Sequence, residues 1–145
     1  MAPKHKELSY FSLRLQELLN ISFPELSRNS TFIRERSQLA AKTYNEASTA
    51  GNTVEQCTEI AEYILFKGLH FSKFDIVFRI VCNEFDTIMA DEELHSFSLK
   101  MLSVCETLFL QYKLSNDFAD SPEFDLLYTE LVGTIQIWIE ENGLQ

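Results

Sequence analysis

The sequence predicts an all-α fold, one irregular bundle of about six helices forming a single domain over residues 1–145. Three observations carry that prediction. Apolar residues recur at three- and four-residue spacing, as one face of a 3.6-residue helix requires. Ser, Thr, Asn, Pro and Gly stand where that periodicity starts and stops. The one stretch that alternates like a strand, Thr134 to Ile139, has no second strand candidate to pair with, and a lone strand leaves backbone groups unsatisfied. A chain of this length buries roughly 68 to 70% of its unfolded surface, enough to fold without staples.

The elements follow in order. Leu8, Phe11, Leu15, Leu18 and Leu19 share one face of a first helix that stops before Pro24. Asn29 or Ser30 caps a second, whose buried stripe is Phe32, Leu39, Ala40, Thr43 and Ala47 and which ends at Gly51. Thr53 and Gln56 have capping-box spacing at the start of a third, with Cys57, Ile60, Ala61, Ile64 and Leu65 inward and Gly68 as its stop. Ser72 caps a fourth, carrying Phe74, Val77, Phe78, Val81, Cys82, Phe85 and Ile88. Asp91 is expected to cap a fifth helix with a continuous stripe from Leu94 to Tyr112. After the polar stretch Ser115 to Ser121, Pro122 occupies a first helical position behind a Ser cap, and Gly143 ends the last helix. Within it Phe124, Leu127, Tyr128, Leu131, Ile135 and Trp138 share one helical face, so Thr134 to Ile139 belongs to a helix.

Charge and cysteine content exclude several function classes. Residues 1–79 hold 10 Lys and Arg against 9 Asp and Glu, whereas residues 80–145 hold 2 against 13. An acidic half without a basic footprint argues against direct nucleic-acid binding, which works by displacing counterions from phosphates. Cys57, Cys82 and Cys105 are odd in number and have no CxxC spacing, so they read as free thiols in a reducing compartment. The opening MAPKHKELSYF places charges where a signal peptide needs an apolar run. The longest uncharged apolar stretch, Leu131 to Ile139, is far short of the ~20 residues that span a bilayer. A soluble cytoplasmic protein without membrane attachment is therefore expected.

The segments GLHFSKFD (Gly68 to Asp75) and DFADSPEFDLLYTELVGTIQIWIEENGLQ (Asp117 to Gln145), together with the opening KHKELSYFSLRLQELLN, resemble a family of small acidic helical proteins of unknown function from Bacteroidetes. Genes of that family often lie near conjugative-transposon genes. The resemblance covers nearly the whole chain and implies an all-helical fold and a bacterial cytoplasm. It carries no active-site residues with it.

The candidate chemistry is sparse. Glu92 and His95 stand one helical turn apart and could share a metal, but di-iron bundles need two such pairs, and the chain has one. Dipole complementation by Glu92 and Glu93, with His95 solvated, is the simpler reading. Each cysteine shares an apolar stripe, which favours small core hydrophobes over nucleophiles. No G-x-S-x-G elbow or Gly-rich phosphate loop appears, and Asp117 to Asp125 lacks the ligand order of an EF-hand. No catalytic residue and no cofactor is assigned.

Two surfaces remain. If the loop before the last helix lies beside the start of the fifth, Asp91, Glu92, Glu93, Asp117, Asp120, Glu123 and Asp125 make one negative patch for a partner. On the last helix, Leu126, Gly133 and Ile137 lie opposite the core face. Either that helix is central and buried on both sides, the favoured arrangement, or it offers a groove to a second copy or to another protein. The sequence thus points to a protein-binding or adaptor module whose partner has a basic surface. The alternatives are a nucleic-acid mimic that inhibits a DNA-binding protein, and a metal-dependent helical-bundle enzyme using Glu92 and His95.

Overall fold

The computed structural model describes residues 8–144, and these residues form helices and turns without a strand, the all-α class the periodicity predicts. The α-helices are α1 (Leu8–Ser22), α2 (Ser30–Thr49), α3 (Val54–Leu65), α4 (Lys73–Glu84), α5 (Leu94–Val104), α6 (Glu106–Phe109) and α7 (Pro122–Asn142). They gather into two compact units, one ending at Leu69 and the other beginning at His70.

In the first unit α2 packs against both α1 and α3. Phe11, Leu15 and Leu19 from α1, Ala40, Tyr44 and Ala47 from α2, and Cys57, Ala61 and Leu65 from α3 are all buried in one core. The expected caps form. The Phe32 N–H donates to Asn29 Oδ1 at 3.0 Å. At Thr53 the box closes both ways, Gln56 N–H to Thr53 Oγ1 at 3.1 Å and Thr53 N–H to Gln56 Oε1 at 2.9 Å. Arg36 finishes the far end of α3: its guanidinium donates to the carbonyls of Leu65 at 3.1 Å and Lys67 at 2.8 Å while lying 4.8 Å over the Phe32 ring. It supplies donors to carbonyls that a helix end leaves unpaired. Arg14 ties α1 to α3 through an ion pair with Glu62 and rests over Phe66 at 5.6 Å.

In the second unit α4 packs against α5 and α7. Ile76, Val77, Ile80 and Val81 are buried along one wide face of it. Met101, Cys105 and Phe109 approach from α5 and α6, and Leu127, Leu131 and Ile135 from α7. An aromatic cluster fills the region before α7, where Phe118 meets Phe71 at 5.3 Å, Tyr112 at 5.9 Å and Phe124 at 6.3 Å between centroids. Thr134 to Ile139 lies inside α7, so helical phase and not local alternation decides that segment.

Four local expectations are corrected. Leu39 and Ile60, placed on the inward stripes of α2 and α3, are exposed. The fifth helix is not continuous: α5 stops at Val104, Cys105 turns, and α6 follows for 4 residues. The apolar stripe stays in phase across the break, with Met101, Cys105 and Phe109 all buried, but the bond from Leu108 N–H to the Cys105 carbonyl tightens to a three-residue step. Periodicity reports which way side chains face, and the facing survives a break in the hydrogen-bond ladder. Asp91 does not cap α5. It opens a 3-10 turn, Asp91–Glu93, in which the Glu93 carboxylate accepts from the Ala90 N–H at 3.0 Å, and α5 then starts without a side-chain cap bond. Finally, the Ser121 hydroxyl turns back to donate to the Phe118 carbonyl at 2.7 Å, leaving Pro122, which needs no donor partner, to start α7.

Two substitutions in the first unit should move stability in opposite directions. Thr53→Ala removes a working cap and should lower unfolding free energy by about 1 kcal/mol. Ser37 has a fully buried hydroxyl without a hydrogen-bond partner, so Ser37→Ala should raise it by about 1 kcal/mol. Urea denaturation of the full chain reads both.

Candidate functional site

The metal candidate is the weakest geometrically. Glu92 and His95 are both exposed, and among the described residues no group of three His, Cys, Asp or Glu side chains could hold an ion. The His95 ring instead lies against Phe74 at 5.2 Å and Phe78 at 6.0 Å between centroids. The thiols are equally removed from nucleophilic work. Burial pushes Cys105 up to about 11, and partial burial, reinforced by the carboxylates of Asp86 and Asp91, also raises Cys82. Neighbouring carboxylates oppose the thiolate that a reactive cysteine needs.

The seven acids singled out in the sequence are all exposed, and they fall into two groups. Glu93 shares a hollow of about 320 Å³ with Met89, Ser96, Phe97, Lys100 and Leu144, beyond the last turn of α7. Glu123 shares one of about 370 Å³ with Tyr112, Lys113 and Phe118 at the first turn of that helix. At 21 residues and about 1.5 Å per residue, α7 runs roughly 30 Å. Asp91, Glu92 and Glu93 therefore sit by one end of α7, and Asp117, Asp120, Glu123 and Asp125 by the other.

The charge division follows the unit boundary. Residues 1–69 carry 8 Lys and Arg against 8 Asp and Glu, and residues 70–145 carry 4 against 14. The whole net charge of −10 thus belongs to the second unit. Three of its four cations are occupied by rings: Lys73 lies 5.8 Å from the Phe109 centroid, Arg79 5.5 Å from Phe124 and Lys100 5.3 Å from Trp138. Asp75 aside, no acid of this unit makes an ion pair among the described residues. Their partners are neutral donors, such as the Tyr128 hydroxyl on Glu84 at 3.1 Å and the Ser115 hydroxyl on Asp117 at 2.8 Å. The Tyr112 hydroxyl donates to Glu130, a bond that, with nearby negative charge, pushes the phenol up to about 12.

The outer face of α7 is open. Leu126 and Ile137 are each 55% exposed, and a Cβ added at Gly133 would meet nothing within 4 Å. Burial of α7 on both faces, the favoured sequence reading, does not hold. Residues that sequence reasoning did not single out also line this face: Glu130 and Glu141 are exposed, and they continue from Glu123 at steps of seven and eleven residues. That spacing was the available signal.

Comparison with known proteins gives a consistent picture. A family model described as a domain of unknown function (DUF1896) matches residues 3–144. The crystal structure of protein PG0816 from Porphyromonas gingivalis, a Bacteroidetes species, is similar over 100% of this chain and 99% of that one, with 36% sequence identity and a TM-score of 0.91. No curated protein matches the chain. Among the described residues no helix is long and apolar enough to cross a membrane.

Two measurements check this geometry. Thiol titration of the native protein near neutral pH should leave Cys105 unreacted and release it on denaturation; full reaction of Cys105 in the folded state would contradict its burial. Gly133→Ala should stabilise the chain by about 1 kcal/mol, the mid-helix cost of glycine relative to alanine, because the added methyl meets open space. Destabilisation on thermal or urea unfolding would mean that something packs there.

Proposed function

The chain belongs to the family of the domain of unknown function DUF1896, and on that premise we propose that it is a protein-binding module, an adaptor rather than a catalyst. It engages a partner's basic surface through the acidic segment 70–145. The carrying observation is that this segment holds the entire net charge of −10 while three of its four Lys and Arg rest on aromatic rings. Carboxylates that outnumber the segment's Lys and Arg by 14 to 4 project a negative field into solvent, and such fields steer association with oppositely charged partners. In this reading the protein works in the bacterial cytoplasm. A partner displaced by duplex DNA would refine the reading to nucleic-acid mimicry.

Capture from a native lysate at low and high salt tests it. With the Debye length falling from about 10 Å at 0.1 M to about 3 Å at 1 M, a stoichiometric basic partner should be retained at the lower salt and released at the higher. Changing Asp91, Glu92 and Glu93 to amides, and separately Asp117, Asp120, Glu123 and Asp125, should slow association about tenfold for the group that faces the partner. Binding that ignores both salt and these substitutions would sink the reading.

A further inference from the structure

We propose that the outer face of α7 is a docking groove for a basic amphipathic helix of a partner protein, crossing over Gly133. This deepens the acidic-surface reading and rests on it. Leu126 and Ile137 stand seven residues before and four after Gly133, which brings the three within about 40° around the helix axis. The two apolar side chains are each 55% exposed, and the glycine between them leaves a gap with nothing within 4 Å of the Cβ position. That is the relief into which a helix lays its apolar face, one large side chain seated between two others.

The flanks decide what occupies it. Glu123, Glu130 and Glu141 run along one edge of the stripe, and α7 contains no Lys or Arg in its 21 residues. A second copy of the chain would bring two sets of unneutralised carboxylates together, and like charges across an interface oppose association. A helix with Lys or Arg beside its apolar stripe meets them with the opposite sign. Glu130 is held at that edge by the Tyr112 hydroxyl, so one of the three acids is oriented before any partner arrives.

The test uses the full chain and a synthetic helical peptide with leucines on one face and lysines on the other, beside a twin with glutamates for lysines. Affinity is read by fluorescence anisotropy for wild type, for Leu126→Gln with Ile137→Gln, and for Glu123→Gln with Glu130→Gln and Glu141→Gln. All substituted positions are exposed, and thermal melts confirm that each variant is folded. The lysine peptide should bind wild type and the glutamate twin should not; each variant should weaken binding about tenfold or more. No binding to wild type overturns the groove. So does weakening by the amide variant with none by the apolar one, a result that leaves the acidic-surface reading standing, since charge alone would then hold the peptide. A wild-type dimer in sedimentation that the Leu126→Gln, Ile137→Gln variant converts to monomer also overturns it, by making the occupant a second copy. Failure of salt-sensitive capture from lysate, by contrast, counts against the parent reading.

Discussion

Full burial of Leu127, Leu131 and Ile135 fixes the rotation of α7 about its own axis, and most of what the second unit presents to solvent follows from that one constraint. Residues four apart on a helix point the same way, so burying these three leaves Leu126, Gly133 and Ile137 no inward option. Phe97 against Trp138 at 6.0 Å and Tyr128 against Glu84 hold the same rotation from the two flanks. The exposed apolar stripe is therefore a consequence of how the core is packed. Moving it inward would require expelling side chains that are fully buried.

The charge of the second unit is set by composition, 14 acids against 4 Lys and Arg, and the core determines where three of those few cations sit. In many helical proteins acids and bases alternate along exposed faces and pair at three- or four-residue spacing. Here the second unit places Lys73, Arg79 and Lys100 over Phe109, Phe124 and Trp138, where long aliphatic stems cover aromatic surface and the charged heads meet the ring faces. Those cations lie against the aromatic edge of the core. The first unit behaves differently: its charges balance, Arg14 pairs with Glu62, and Arg36 serves the end of α3.

Much of the fold was legible in the sequence because caps and periodicity act locally. Thr53 and Ser72 cap the helices they were expected to cap, and Asn29 is the one of the two candidates Asn29 and Ser30 that caps α2, each through a bond from the N–H three residues on. The break at Cys105 was not legible, since the stripe Met101, Cys105, Phe109 remains in phase across it. The start of α5 was not legible because an aspartate ahead of an apolar stripe reads as a cap, whereas here Asp91 opens a 3-10 turn closed by the bond from Ala90 N–H to Glu93, and α5 follows without a side-chain cap. Of the surface, the sequence named Leu126, Gly133 and Ile137 correctly as one face but could not say whether that face was covered, because coverage depends on neighbours distant in sequence. The arrangement of the acids at two ends of α7 depends in the same way on where residues 91–93 return in space.

The most direct measurement is methyl NMR of the full chain with a soluble paramagnetic relaxation agent. The rotation of α7 described above predicts strong broadening of the Leu126 and Ile137 methyls and protection of those of Leu127, Leu131 and Ile135. Protection of Leu126 and Ile137 as well would contradict it, because the outer face of α7 would then be covered in the free protein and unavailable to a partner.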